Sequence, residues 1–310
     1  MRRALIPDRV KHRVRSVRWF PQTNRPSATR GQLLHYYQDV HVRIAPIGGR
    51  SHERTGFRVR VEPDSKQATE MVLRAIHAST DTPSERLDSD VCDFIASEAA
   101  HLLLFGRAVH ERVTDDSGAV YLFRLPPGTL LQLGPWVAQL VPADPIQGHP
   151  RRVVWLRRRD LWWLKPPSGL GGRALAHLRN TLRAINYIPP DWSLPSLERT
   201  TTDFDFKSWL YKTDVVVARA VRPWGYPNPN PTQRQMTDFL VIREQVRFAV
   251  TMTKLREHII GELNRELADA ANPARVVLEG VPTETDLNET LTQLGNGQIK
   301  FLDALAMTRW

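Results

Sequence analysis

The sequence predicts an α+β protein, a mixed sheet carrying helices with long helices after it, and three observations point to that class. Phe57-Arg58-Val59-Arg60-Val61 alternates with the period of two expected of a strand with one buried face. Two later stretches, Ala68 to Ile76 and Leu87 to Leu103, repeat apolar residues at three and four positions, as amphipathic helices do. Strand-forming runs then fill residues 108 to 164, and helical patterns dominate the remainder of the chain.

The first element is an arm rather than a folded unit. Residues 1 to 60 hold 14 Lys/Arg against 3 Asp/Glu, a net of +11, so the other 250 residues sum to about −1 of the total +10. Arg2, Arg3, Arg9, Lys11, Arg13, Arg15 and Arg18 fall where no helical period is sustained, although Val10, His12 and Val14 alternate enough to pair as an edge strand with a partner. Such an arm is either a solvated tail or a contact for a polyanion, and Arg9, Lys11, Arg13, Arg15 and Arg18 are the candidate contact residues.

The strand at Phe57 to Val61 ends in Glu62-Pro63-Asp64, and Ser65 is placed to cap the helix after it. A second helix runs from about Glu85 to Leu104 and stops at Gly106. Its stripe of Leu87, Val91, Phe94, Ile95, Ala99, Leu102 and Leu103 broadens toward its end, which means deeper burial there. Ala108 to Thr114 and Ala119 to Leu125 form a hairpin around Asp115-Asp116-Ser117-Gly118, ended by Pro126-Pro127. Further strands are expected at Trp136 to Val141 and Val153 to Leu156. Leu161-Trp162-Trp163-Leu164 reads as core or subunit packing in preference to a base-stacking platform, because no basic residues alternate with it.

After Gly169-Leu170-Gly171-Gly172 the pattern gives a helix from Ala174 to Asn186, a proline linker, and a helix from about Asp203 to Arg222. A long helix from Thr232 to Ala270 comes next, with Thr251 to Thr253 as a place to bend, then a helix from Glu284 to Gly297 and a closing segment from Gln298 to Leu305. The chain divides into a basic arm (1–55), an α+β region (56–168), a helical region (169–270) and a C-terminal helical segment (271–310).

Composition excludes several classes. Hydrophobic residues at 41% and charged residues at 25% are globular values, and no run nears the roughly 18 to 20 apolar residues of a membrane span. The start lacks the apolar core of a secretory signal. Cys92, the single cysteine, lies in an apolar helical pattern and is expected to be buried, which suits a reducing compartment.

Motifs for chemistry are absent from the sequence. The ten histidines show no metal-ligand spacing, and His258 with Glu262, four apart on a helix, reads as a solvated pair. There is no phosphate-binding GxxxxGK[ST] loop and no GxSxG, and Gly169 to Gly172 reads as a wide turn. Asp115-Asp116 sits in a turn, where its role is to bond local backbone. The expectation is a protein without catalysis, cofactor or metal.

The string FIASEAAHLLLFGRAVHERVTDDSGAVYLFRLPP resembles the central signature of phage portal proteins, a buried helix leading through a glycine turn into a hairpin that ends in proline. Further pieces come in the family's order. They are Gly169 to Asn186, the segment TDVVVARAVRPWGYP, the helix containing EHIIGELNREL, and PTETDLNETLTQLGNGQIKFLDALAM. The resemblance covers roughly residues 55 to 305, by pattern rather than by an invariant residue. It implies a portal-like fold, with 56–168 as the wing and 169–270 as stem and tunnel. The proline linker stands where portals place their clip, so the implied member is short and clip-reduced, without a crown.

The implied function is a structural one. About twelve copies form a ring at one capsid vertex of the virion, after assembly in the host cytoplasm. The ring would pass double-stranded DNA during packaging and ejection. Its implied partners are other copies of itself, the major capsid protein, a neck or adaptor protein, terminase and DNA, with no membrane. Lys212, Arg219 and Arg222 share one face of their expected helix, fit either for sequence-independent phosphate contact in a tunnel or for salt bridges between subunits. A non-enzymatic DNA-binding protein using the basic arm is the alternative.

Overall fold

The computed structural model describes residues 57–79, 84, 86–115, 119–141, 143, 150–172, 238–270 and 272–308. Strand β1 (Arg58–Glu62) alternates exposed and buried residues as its sequence requires. Helix α1 (Lys66–His77) begins at Ser65, whose hydroxyl accepts the Ala68 N–H at 3.1 Å, and it buries Ala68, Val72, Ala75 and Ile76. Helix α2 (Leu87–Phe105) ends at Gly106, where φ of 72° lets the Gly106 N–H reach the Leu102 carbonyl at 2.9 Å. Two aspartates in the first turn of α2 fix its approach. Asp88 accepts the Val59 N–H at 3.1 Å, while buried Asp90 lies 2.7 Å from His77 Nε2 at the end of α1 and accepts the Ser84 hydroxyl at 2.6 Å.

The hairpin falls where the alternation placed it, with β2 (Ala108–Thr114) antiparallel to β3 (Val120–Leu125). Asp115 accepts the Ala119 N–H at 2.9 Å, the local backbone bond expected of a turn aspartate. Three strands come next as a meander, β4 (Leu130–Leu133), β5 (Trp136–Val141) and β6 (Arg152–Arg157), forming an outer sheet of order β4-β5-β6. A single 3-10 turn, Arg158–Asp160, then carries the chain into β7 (Leu161–Leu164), which joins β2 in an inner sheet of order β3-β2-β7. Gly169 and Gly172, with φ of 87° and 57°, make the wide glycine turn.

Helix α3 (Asp238–Asp269) runs without interruption through Thr251 to Thr253. Strand β8 (Arg275–Glu279) pairs antiparallel with β1, and helices α4 (Glu284–Gly295) and α5 (Phe301–Ala306) close the chain. The sequence pattern predicts no strand at 275–279. Three consecutive apolar residues, Val276, Val277 and Leu278, have neither helical nor strict strand periodicity, and only β1, more than 200 residues earlier, supplies the partner that makes them a strand. The capping box at α4 is complete: Thr283 Oγ1 accepts the Asp286 N–H at 3.2 Å, and Asp286 accepts the Thr283 N–H at 2.8 Å.

The described residues form an α+β fold in layers. Phe94, Ile95, Ala99 and Leu102 of α2, with Met252, Leu255, Ile259 and Leu263 of α3, pack on one face of the inner sheet through Ala108, Leu122, Trp162 and Leu164. The other face of that sheet presents Val109, Leu125 and Leu161 to Leu130, Val137 and Leu156 of the outer sheet. Cys92 lies in the helical core, where burial and then the neighbouring Asp88 and Asp93 push its thiol up to about 12, so it packs as an uncharged side chain. Buried Arg256 donates to Thr253 Oγ1 at 3.2 Å and to the Pro282 carbonyl at 3.1 Å, tying α3 to the entry of α4. Among the described residues no helix is long and apolar enough to cross a membrane.

Candidate functional site

Two arrangements stand out, one enclosed and one open. The enclosed one lies between α2 and the inner sheet. His110 and Arg124 face each other across β2 and β3, and both aim at Glu98. Glu98 Oε1 lies 3.0 Å from His110 Nε2 and accepts from Arg124 Nε at 3.0 Å and Nη2 at 2.6 Å. Glu98 and His110 are fully buried, and the imidazole lies between Trp162, at 4.8 Å between ring centres, and Phe94, at 6.2 Å. Next along β2, Arg112 pairs with Glu266 of α3 at 2.5 Å.

The electrostatics are set by this geometry. Burial opposes charge on Glu98, but the adjacent His110 and Arg124 outweigh it and hold the carboxyl down to about 2. Burial dominates at Glu266 and raises its carboxyl despite Arg112. His101 is lowered by burial and by Arg124, against the pull of its bond to the Ser97 carbonyl. A carboxylate held ionised to about 2 and walled by Phe94 and Trp162 is poorly placed to give up a proton near neutrality. It is well placed to clamp α2 to the hairpin, because removing either partner strands a buried charge.

The open arrangement is the outward face of the outer sheet. In antiparallel pairs, opposed residues share a face. Leu133 opposite Trp136, Trp136 opposite Arg157, Ala138 opposite Trp155 and Leu140 opposite Val153 therefore all lie on one side. The other side, with Val137, Val154 and Leu156, packs on the inner sheet. Trp155 is 57% exposed, Leu133 48% and Trp136 43%, whereas Ala138 and Leu140 on the same face are buried, so the exposed apolar surface is confined to the β4-β5 turn and to β6. Gly134, at φ of 62°, forms a two-residue turn with Pro135 that sets Leu133 against Trp136.

Arginines frame this face. Arg157 lies over the Trp136 ring at 5.8 Å, Arg159 sits 3.7 Å from Asp160, and Arg151 and Arg158 are exposed beside them. Exposed tryptophans flanked by arginine are the composition of interface hot spots, where a tryptophan brings roughly 150–250 Å² of surface at about 25 cal/mol per Å². The arrangement can grip another macromolecule; it holds no nucleophile or acid–base pair.

Arg9, Lys11, Arg13, Arg15, Arg18, Lys212, Arg219 and Arg222 all lie outside the described residues. The expected helices at 174–186 and 203–222 lie there too. His258 and Glu262 have separate partners: His258 Nε2 meets the Lys165 carbonyl at 2.7 Å, and Glu262 pairs with Arg265. Among the described residues no group of three or more His, Cys, Asp or Glu side chains is arranged to hold a metal ion. Trp162 is buried against the helices, in keeping with the core reading of Leu161 to Leu164. Among the described residues the exposed tryptophans are Trp136 and Trp155 instead. The sequence does carry a signal for them: Val153-Val154-Trp155-Leu156 is apolar at both parities, so both faces of the strand call for cover.

No protein-family model matches the chain, and no curated protein matches it either.

Proposed function

We propose that this chain is a structural subunit of a phage portal-type ring of about twelve copies, a closed cyclic assembly at one capsid vertex. In that role it passes double-stranded DNA during packaging and ejection, contacts the capsid protein, and docks neck and terminase proteins. The portal-like fold is part of the proposal, with the layered sheets and α2 as wing and α3 as a helix of the inner region.

The observation that carries it is the order of elements. A buried helix, α2, turns at Gly106 into the β2-β3 hairpin closed by Pro126-Pro127, and among the described residues a long helix and a capped C-terminal helix pair come after it, as in the corresponding pieces of the resemblance. An outward sheet face of tryptophan, leucine and arginine supports the same reading, since a ring subunit needs surface reserved for its neighbours. Residues 1 to 60, with their net +11, favour a second reading, a DNA-binding protein that acts through its arm.

Electron microscopy of the purified full-length protein separates the two. Rings with a central channel are expected, together with the protein at one vertex of virus particles. A persistent monomer absent from particles, binding DNA with steep salt dependence, would replace the ring reading with the arm reading.

A further inference from the structure

We infer that the outward face of the outer sheet seats the C-terminal helices of a second copy of this chain. The inference rests on the ring reading, because a ring of identical copies is built from head-to-tail contacts and each copy must carry two different surfaces that fit each other.

Among the described residues, with Phe105 standing apart, the exposed large apolar side chains gather in two places. One is the sheet face of Leu133, Trp136, Val153 and Trp155. The other is the C-terminal corner, with Phe301, Leu302 and Met307 at α5 and Leu240 and Val241 at the start of α3. Ala304 turns inward to Ile242, Val246 and Leu294, which fixes α5 in place and leaves Leu302 77% exposed on its outer side. Phe301 is steadied by Phe239 at 6.2 Å between ring centres. Leu302 thus stands on a rigid element, as an interface anchor should.

Charge selects the partner. Arg157 lies on the sheet face and Arg151, Arg158 and Arg159 are exposed beside it, with Asp160 at the end of the run. Between Val276 and Met307 the chain holds five carboxylates against the single cation Lys300; Glu279 and Glu284 pair with Arg60 and Lys254, and Asp286, Glu289 and Asp303 lie on α4 and α5. A basic rim around tryptophans therefore meets an acidic surface carrying leucine and phenylalanine. The arm at residues 1 to 55, with 12 Lys/Arg against 3 Asp/Glu, would be repelled by the same arginines and does not fit there. The edges of the outer sheet are β4 and β6, and the arginines on β6 oppose strand addition, so contact falls on the face.

Sedimentation velocity on the full-length protein tests the pairing through charge reversal. Arg157→Glu/Arg158→Glu/Arg159→Glu is expected to convert rings into monomers, raising the dissociation constant between subunits by roughly tenfold or more. Glu289→Lys/Asp303→Lys is expected to do the same. One chain carrying both sets, or an equal mixture of the two variants, regains rings because opposite charges face each other again. A circular dichroism spectrum of wild-type shape in each variant confirms that loss of assembly is not loss of folding. Should a reversal unfold the protein, Trp155→Ser and Leu302→Ser give the same reading at the apolar centre of the contact.

Reversed variants that assemble like wild type overturn the pairing and leave the ring reading standing, as does a combined variant that stays monomeric. If arginine reversal abolishes binding of a single-stranded oligonucleotide while rings persist, the face is a nucleic-acid surface and the inference is wrong. A wild-type protein that is itself monomeric removes the ring reading and this inference together.

Discussion

The inner and outer sheets are built from similar residues put to opposite uses. On the inner sheet Trp162 is stacked under Phe94, and Arg124 is committed to a buried carboxylate, so aromatic and guanidinium groups serve the core. On the outer sheet Trp136 and Trp155 face solvent and Arg157 lies over an indole. The difference lies in what covers each face. Helices α2 and α3 close the inner sheet, whereas on the far side of the outer sheet Leu133, Trp136, Val153 and Trp155 stay partly in water although Ala138 and Leu140 beside them are buried. A strand apolar on both sides is stable when both sides are covered, which makes the outer sheet the half of a contact that a partner completes.

The largest expected break in this contrast is within the inner layer. Phe94→Ala removes a fully buried ring wedged against Trp162 and His110, and should cost about 3–5 kcal/mol in urea unfolding. An equal substitution on the outer sheet, Trp155→Ser, should leave unfolding within about 0.5 kcal/mol of wild type while weakening assembly. If Trp155→Ser destabilises the isolated subunit as Phe94→Ala does, the outer face is core and the contrast fails.

Acid should act on the inner layer with a definite sign. The Glu98 carboxyl is depressed in the folded protein, so its contribution, about 3 kcal/mol from linkage, is fully present above its unfolded value near 4.5. That contribution is lost as pH falls toward about 2. Glu266 is raised and works the other way, relieving an unfavourable charge as it protonates, so the net acid slope is shallower than Glu98 alone would give. Chemical denaturation of Glu98→Gln at several pH values should show lower stability at neutrality and a flatter slope between pH 4.5 and 2. An unchanged slope would mean that His110 and Arg124 do not hold the carboxylate in its ionised form.

A smaller effect is expected at the C-terminal corner. Thr283→Ala removes the hydroxyl that caps α4 and should cost about 1 kcal/mol. Because α4 and Leu294 support α5, the same variant should also loosen the surface around Leu302. Hydrogen exchange at 301–306 reads that directly, and unchanged protection there would uncouple the corner from the cap.

Much of the fold could be read from local chemistry. Ser65 as cap, Gly106 as stop, the β2-β3 hairpin and the alternation of β1 each depend on residues within a few positions of one another, so their sequence signals survived folding intact. Strand β8 was not legible, because its reason to exist is β1 at the other end of the described chain. Nor was the buried triad. Glu98, His110 and Arg124 look like ordinary surface residues until α2 is laid across the sheet.

The sequence by itself determined the class, the main elements and the separation of a basic arm from a near-neutral remainder, because those depend on period, caps and composition. Tertiary structure alone decided which tryptophans are core and which are exposed. Trp162 and Trp155 sit in similarly apolar strands, and their fates differ because helices cover Trp162 on the inner sheet while Trp155, on the outward face of the outer sheet, stays largely in water. Burial is a property of neighbours brought together by the fold, and no pattern confined to one strand contains it.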